Sequence, residues 1–468
     1  MADDASSKDR EKSEKQRLWE RVAGRPDGVI VERMRVNGFW PPGEKLPDDP
    51  LDDVKERAAL EAERARLLKT ALAVQDVDRA LKVENERRIE ASRKKKAERK
   101  LLREQATRER REAFIKNKHA TLVHLGLGVS GGLQHTVSDV ARLQSQGLPV
   151  LRDGNDVAAA VGVPLAELRW LTYHRRGAAV VHYHRYDIPK KAGGARHISA
   201  PKARLARAQQ WVLAQILERL PVSEHAHGFV RGHSVVTNAR PHVRCQTVVN
   251  LDLKDFFPTI TFRRTKGLFC KMGYSEHVGT VLALLCTEPP RVLVEHDDQR
   301  THIALGDRVL PQGACTSPAI TNLLCRRLDK RLAGLARRAG LSYTRYADDL
   351  TFSGDSVDAA ALLGNVRRVL EAEGFVVNAD KTRVMRKGRR QEVTGVVVNA
   401  KTSIARDEWR ALRATLHNCA KLGLPSQNRD AHADFAAHLA GRVAWVKMVD
   451  ARRGAQLGLL LQRALAYH

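Results

Sequence analysis

Cysteine is scarce in this sequence and never occurs at the spacing typical of metal ligands. The 468 residues include six cysteines and no Cys-x-x-Cys pair. They are Cys245, Cys270, Cys286, Cys315, Cys325 and Cys419. This scatter argues against a zinc ribbon and a disulfide framework, and it favours a reducing compartment such as the cytoplasm.

Long apolar runs are also missing. No segment has the apolar length that spans a membrane, so we expect no membrane partner. The first residues, MADDASSKDREKSEK, are unlike a signal peptide. The pairs HYH at 182–184 and HAH at 225–227 lack a second ligand pair, which favours ordinary strand and loop histidines over a metal site.

Acidic residues are fewer than basic ones. There are 54 Asp+Glu against 81 Lys+Arg, a formal net charge of +27. Because neutralising phosphates releases counterions, a polyanion is the expected partner. A basic protein with a solvated surface is the alternative, which is less favoured because basic residues recur in every segment.

Composition divides the chain into five parts. We predict disorder for residues 1–50, and a charged helical extension, as one long helix or a helical pair, for 51–120. That extension is either an arm that binds nucleic acid or a partner, or a solvated charged helix. Residues 121–175 predict a small helical segment, 176–400 a mixed α/β region, and 401–468 helices.

Three aspartates occupy positions that favour a shared site. The alternating stretch LSYTRYADDLTFSG predicts a hairpin with Asp348 and Asp349 at its turn, although an Asp-Asp turn alone is commonplace. The apolar strand VVNLDLKDFFPTI is interrupted by Asp252. A carboxylate on a buried strand needs a partner. We therefore expect strand and hairpin to adjoin in an antiparallel sheet, which would form an oxygen site for Mg²⁺ and, with two ions, for the displacement that polymerases catalyse.

Five segments follow one another in a familiar order. NLDLKDFF, LPQGACTSP, RYADD, GFVVNADKT and VTGVVVN together resemble the palm motifs of reverse transcriptases over roughly residues 180–400. The resemblance implies an α+β right-hand polymerase with fingers, a palm of antiparallel sheet plus helices, and a helical thumb, preceded by a mostly helical N-terminal extension. It also implies an RNA-directed DNA polymerase that uses dNTPs and two Mg²⁺ ions.

The resemblance assigns roles at the metal site residue by residue. Asp252 and Asp348 match the two aspartates that bridge the metals, and Asp349 matches the third ligand. The backbone carbonyl of Leu253 would be a further ligand. Lys381 in NADKT matches a lysine that protonates the departing pyrophosphate, although a surface lysine needs no such explanation.

The same resemblance implies a nucleotide site. YDIPKKAGGARHISAP predicts a hairpin like that of the fingers, in which Lys191 and Arg196 would hold the triphosphate; an exposed cationic hairpin is the alternative. Phe257 matches an aromatic that lies under the incoming sugar and excludes a 2′-hydroxyl, and it also suits core packing. Gln312 and Gly313 match residues against the incoming nucleotide, where glycine permits close approach.

Local sequence also predicts two helix starts. We expect Asp255 to cap the helix that follows it, and Thr316 or Ser317 to cap a helix that runs on to Gly340.

Two short stretches resemble one branch of the family, the bacterial retron enzymes. NARPH contains their NAxxH pattern, with Asn238 and His242, and VTG supplies Val393, Thr394 and Gly395. The resemblance implies recognition of a cognate structured non-coding RNA and DNA synthesis from an internal 2′-hydroxyl. It further implies a branched RNA–DNA product and a part in phage defence with an effector protein.

Cations of the C-terminal helices, among them Arg442 and Lys447, would cradle an RNA stem; thumb packing alone is the alternative. Among reverse transcriptases, a group II intron enzyme is the second choice. Such enzymes usually carry a longer C-terminal maturase region, and only about seventy residues follow VTG here. A catalytically silent RNA-binding scaffold is an alternative of another class, against which the intact aspartates argue.

Overall fold

The computed structural model describes residues 33–44, 50–72, 77–190, 193–297 and 299–466. The chain divides into two units, residues 1–110 and 111–468, and each is described by itself. The helices are α1 (Pro50–Leu72), α2 (Val77–Ala120), α3 (Val140–Ser145), α4 (Gly154–Val161), α5 (Leu165–Thr172), α6 (Ala203–Gln215), α7 (Val235–Ala239), α8 (Phe262–Met272), α9 (Glu276–Cys286), α10 (Thr316–Leu324), α11 (Arg326–Arg338), α12 (Ala359–Ala372), α13 (Arg406–Leu422), α14 (Phe435–Val449) and α15 (Ala451–Leu465). The strands are β1 (Gly177–Ala178), β2 (Tyr183–Pro189), β3 (Ala195–Pro201), β4 (Thr247–Leu253), β5 (Arg291–His296), β6 (Gln299–Ala304), β7 (Ser342–Tyr346), β8 (Asp349–Gly354), β9 (Val377–Arg386), β10 (Glu392–Val393) and β11 (Val396–Val397).

The first unit is built from α1 and most of α2. Both helices are rich in Ala, Leu, Glu, Lys and Arg, the residues with the highest helix propensities. Glu56 of α1 forms an ion pair with Lys95 of α2. The charged extension is therefore a pair of helices, while most of the predicted disordered segment, 1–50, lies outside the described residues.

The second unit centres on a four-stranded antiparallel sheet in the order β7-β8-β4-β9. The central strand β4 carries buried side chains on both faces, including Val248 and Val249, which is why its sequence is almost continuously apolar. Helices α11 and α12 contact the sheet through β7 and β9. The predicted α+β class is confirmed, with helices and antiparallel sheets in one chain.

Two hydrophobic clusters stabilise this unit. The larger joins the sheet to α6, α8, α9, α11 and α12, and it also takes in Leu143 and Leu168 from the small helical segment 121–175. That segment therefore packs as part of the larger hydrophobic core. The smaller cluster joins Val236 of α7, Val248 of β4 and Val393 of β10 to the C-terminal helices α13–α15.

Two smaller sheets lie outside the palm sheet. Strands β2 and β3 form the predicted basic hairpin, with Gly193 and Gly194 in the left-handed region that its turn requires. The sheet β1-β6-β5 was not predicted. Among the described helices, none combines the length and apolar character needed to cross a bilayer.

Candidate active site

The YADD hairpin is held in a conformation that its sequence alone does not favour. Ala347, between β7 and β8, has a φ of 56°, a region that residues with a Cβ rarely adopt. Gly228 lies so close that a Cβ there would be 2.5 Å from the backbone nitrogen of Ala347. The Arg345 guanidinium donates to the Ala347 carbonyl at 3.2 Å. These contacts offset the backbone strain and fix the position of the turn.

Arg345 itself is anchored in the core. It is fully buried and donates to both carboxylate oxygens of Asp329 at 2.8 Å, and to the side-chain carbonyl of Asn322 at 3.0 Å. A bidentate pair satisfies the buried cation and fixes its orientation. The hairpin thus rests on a rigid support from α11.

Asp252 lies directly across from the hairpin. In the antiparallel pairing of β4 with β8, Asp252 is the Cα partner of Asp349. The Leu253 N–H donates to the Asp348 carbonyl at 3.0 Å. The adjacency of strand and hairpin predicted from sequence is therefore observed, and it brings the backbones of all three aspartates to one end of the sheet.

The carboxyl groups of Asp348 and Asp349 are harder to ionise here than in water. Burial raises the pKa of Asp349 to about 7, with further increases from the negative charges of Asp348 and Asp252. Burial also raises the pKa of Asp348, and Asp252 adds to that shift. Like charges in a partly dry site favour binding of a cation.

Lys381 supplies a positive charge at present. Its ammonium lies 3.0 and 3.1 Å from the two carboxylate oxygens of Asp252, and the Asn378 amide donates to one of them at 3.2 Å. Asn378 faces Asp252 because β9 is irregular: Asn250 pairs with Arg383, while Asp252 pairs with Asn378. Asn378 was not singled out from the sequence, although it stands in the same NADKT motif.

The donor chemistry of the three aspartates fits Mg²⁺, which prefers carboxylate oxygens. In the part of the chain that the structure describes, no three Asp, Glu, His or Cys side chains are close enough together, as they stand, to hold a metal ion. Lys381 instead forms an ion pair with Asp252.

The basic hairpin faces this site. Arg196, at the start of β3, is close enough that its positive charge partly offsets the rise in the pKa of Asp348. The predicted partner Lys191 lies outside the described residues. The Gln312 carbonyl accepts a hydrogen bond from the Ser199 N–H at 2.7 Å.

Gly313 is required by packing against β3. Its φ is 113°, and a Cβ there would lie 2.9 Å from Ile198 Cγ2 and 3.0 Å from the Ser199 carbonyl oxygen. The side chain of Phe257 is partly buried against the larger core, and its ring meets Phe256 edge-on at 5.5 Å. The backbone of Gly313 thus lies close to β3 of the protein itself, which is sufficient to explain a glycine at this position.

The predicted helix caps were wrong. Asp255 has a φ of 47° in a turn, and α8 begins later, at Phe262, with Thr261 as its cap. No side chain caps α10: the Ser317 hydroxyl donates to the Pro311 carbonyl instead. The helix predicted to run on to Gly340 is interrupted at Cys325.

The NARPH and VTG motifs lie mostly in the core. Asn238, His242 and Val393 are buried, which argues against direct RNA contact by these side chains. Thr394 is half-buried and Gly395 is exposed. Of the predicted C-terminal cations, Lys447 is exposed, and half-buried Arg442 lies 3.8 Å from Glu408.

Comparison with known proteins agrees with this architecture. Residues 188–409 match the family model described as "Reverse transcriptase (RNA-dependent DNA polymerase)". The Retron Mx162 reverse transcriptase of Myxococcus xanthus is 43% identical over 416 residues, which cover 84% of this chain and 83% of that protein. This chain belongs to the retron reverse transcriptases.

Two further relatives support the assignment. The Retron Mx65 reverse transcriptase of Myxococcus xanthus is 48% identical over 329 residues, 69% of this chain and 75% of that protein. The Retron Ec86 reverse transcriptase of Escherichia coli is 32% identical over 317 residues, 66% of this chain and 89% of that protein. The predicted activity of this retron reverse transcriptase, RNA-directed DNA polymerisation, is confirmed at the level of the family.

Proposed function

We propose that this retron reverse transcriptase copies its cognate structured non-coding RNA into branched multicopy single-stranded DNA, starting from a 2′-hydroxyl of that RNA. Asp252, Asp348 and Asp349 carry the nucleotidyl transfer. The RNA–DNA product acts with an effector protein in defence against phage.

The register of two palm strands is the observation that carries the proposal. Asp252 and Asp349 face each other across β4 and β8, and Asp348 precedes Asp349 in the tight turn. The raised pKa values of Asp348 and Asp349 mean that two anionic carboxylates are unfavourable here without a cation. A divalent metal removes that penalty.

Two Mg²⁺ ions, when bound, would lower the pKa of the attacking hydroxyl and neutralise charge on the leaving pyrophosphate. Asp252, Asp348, Asp349 and the carbonyl of Leu253 would hold them. Lys381, once displaced from Asp252, is free to donate a proton to the pyrophosphate.

The nucleotide lies between the basic hairpin and the palm. Arg196 binds the triphosphate through its planar donor fork, and Lys191 adds a second cation. Phe257 lies under the sugar and excludes a 2′-hydroxyl. Gln312 and Gly313 lie against the incoming base pair.

RNA is held by cations of the C-terminal helices. Lys447 and Arg442 contact phosphates of a stem, and the exposed part of the VTG turn at Thr394 and Gly395 lies against the RNA. Shape and phosphate contacts of this kind suit a duplex stem, whose deep major groove is closed to side chains.

The test compares nucleic acid extracted from the wild-type protein and from Asp348→Asn, each expressed with the retron's own RNA. We expect wild type to yield DNA joined to RNA by a bond that debranching enzyme cleaves, and the variant to yield RNA alone. DNA made by Asp348→Asn would contradict the site, and unbranched DNA from wild type would contradict 2′-hydroxyl priming. Plaque counts in cells carrying either protein test the defence role.

A further inference from the structure

The histidine of the NARPH motif connects the two strands of the YADD hairpin. His242 Nδ1 lies 2.7 Å from the Ser353 hydroxyl on β8, and Nε2 lies 2.7 Å from the Thr344 hydroxyl on β7. Thr344 and Ser353 lie on the same face of the sheet, because Ser342 pairs with Ser353 and side chains alternate along a strand. One imidazole therefore bridges the hairpin diagonally. Thr344 is four residues before Asp348 and Ser353 four residues after Asp349, which is roughly 13 Å along a strand.

In this bridge the His242 ring is neutral, and both of its nitrogens have a hydrogen-bond partner. The His242 side chain is fully buried, and burial, with a smaller contribution from His227, lowers its pKa to about 3. Each hydroxyl can donate or accept, so a neutral ring is satisfied at both nitrogens. The ring does not exchange protons with the reaction; its influence on the aspartates is through position.

The same motif also contacts the VTG turn. The Asn238 amide donates to the Thr394 hydroxyl at 3.3 Å, while the Asn238 backbone carbonyl accepts from the Thr344 hydroxyl at 3.4 Å. Thr394 and Gly395 both have left-handed backbones, with φ values of 47° and 82°. Asn238 thus connects a tight, strained turn to strand β7.

The VTG turn in turn meets the C-terminal helices. A Cβ placed on Gly395 would lie 3.7 Å from the ring of Trp445 on α14, an ordinary van der Waals contact. Val236 and Ala239 of α7 share a hydrophobic cluster with Val393 and with α13–α15. A continuous path of packed and hydrogen-bonded groups therefore runs from α14 to the catalytic hairpin.

We propose that the NARPH segment is a positioning device, in which His242 holds the YADD hairpin in register with the C-terminal helices. His242 is a positioning residue rather than a catalytic one, since it acts on Asp348 and Asp349 only through Thr344 and Ser353. This inference rests on the proposed roles of those aspartates.

The test measures steady-state DNA synthesis by the full chain on a poly(rA) template with an oligo(dT) primer. His242→Ala should lower kcat by ~10- to 100-fold, because misplacing reacting groups by about 1 Å has effects of that size. The KM for dTTP and the Kd for primer–template should stay within twofold of wild type. His242→Gln, which can still reach a hydroxyl, should recover part of kcat.

His277 offers a matched control. It is a buried histidine on α9 whose ring bonds to the Leu133 carbonyl at 2.5 Å and accepts from the Gly154 N–H at 3.0 Å, and neither partner belongs to the hairpin. His277→Ala should lower the Tm as His242→Ala does but leave kcat within twofold. Equal loss of kcat in both variants, or an unchanged kcat in His242→Ala, would overturn the inference.

Two milder variants apply if His242→Ala does not fold. Ser353→Ala and Thr344→Val each remove one of the two hydrogen bonds and keep the side chain's approximate size, and each should lower kcat severalfold without changing the Kd. Wild-type kcat in both would overturn the inference. Asp348→Asn in the same assay separates the two proposals: activity in that variant would contradict the catalytic site itself.

Discussion

The YADD hairpin has two kinds of polar environment within a few residues. At its turn, Asp348 and Asp349 lie beside Asp252 with raised pKa values and a displaceable lysine as their nearby cation. Behind the turn, Arg345 and His242 have their charges and ring nitrogens fully matched. The unfavourable charges therefore lie where we propose that metal ions bind, while the polar groups of Arg345 and His242 behind the turn all have partners.

The largest loss of stability is expected from breaking the buried Arg345–Asp329 pair. Asp329→Ala leaves Arg345 as a buried, uncompensated cation, so we expect a loss of ~3–5 kcal/mol in the free energy of unfolding, measured by urea denaturation. Glu295→Ala breaks the exposed pair with Arg300 and should cost no more than ~1 kcal/mol. Equal losses in both variants would show that the Arg345–Asp329 pair contributes no more to stability than an exposed ion pair.

At the turn, we expect a substitution to increase the free energy of unfolding. Asp349→Asn removes a carboxyl that is harder to ionise in the folded protein than in the unfolded chain. Without metal at pH 8, the variant should be more stable than wild type by ~1–3 kcal/mol, discounted from the full shift because Asp349 is partly exposed.

The advantage of Asp349→Asn should decrease as the pH falls from about 7 towards the ordinary carboxyl pKa, where both states bind the proton. Mg²⁺ should raise the Tm of wild type more than that of the variant. A variant less stable than wild type in EDTA at pH 8 would contradict the assigned electrostatic penalty.

His242 should make the protein sensitive to acid. Its folded pKa is about 3, below the ordinary value of 6.5, so its contribution is fully present above pH 6.5 and is lost as the pH falls towards 3. The difference in unfolding free energy between wild type and His242→Gln should therefore change by up to ~1.4 kcal/mol per pH unit below 6.5. His174, whose pKa is lowered to about 4, contributes equally to both proteins and cancels. His227 interacts with His242, so it is replaced by Gln in both proteins. Parallel pH profiles would contradict the buried neutral imidazole.

The smallest effect on stability is expected at Lys381. Its side chain is 60% exposed, so Lys381→Gln should change the unfolding free energy of the metal-free protein by less than ~1 kcal/mol. The neutral amide of Gln does not compete with Mg²⁺ for Asp252 as the Lys381 ammonium does. Half-maximal thermal stabilisation should therefore need less Mg²⁺ in the variant than in wild type. A higher Mg²⁺ requirement would show that Lys381 assists metal binding.

Local patterns predicted the elements that depend on nearby residues. Alternation predicted β7 and β8, the Gly-Gly turn predicted the β2–β3 hairpin, and the isolated Asp252 predicted the pairing of β4 with that hairpin. These features follow from strand periodicity and turn chemistry, which act over a few residues.

Features set by distant contacts were missed. The burial of His242 depends on Thr344 and Ser353, about a hundred positions away. Asn378 reaches Asp252 only because of the irregular pairing of β9, which no local pattern records. Asp255 has the side chain of a helix cap but stands in a turn ahead of Thr261, so capping chemistry alone could not locate the start of α8.

The contact of Gly313 with Ile198 and Ser199 has a consequence for engineering the enzyme's substrate range. Any side chain at 313 meets the backbone of β3, so libraries that vary this position would mainly yield proteins with a displaced basic hairpin. Phe257 is only partly buried, so its side chain is less constrained by the protein than position 313. If the proposed nucleotide site is used to select for modified nucleotides, variation should therefore begin at Phe257 and keep Gly313 constant.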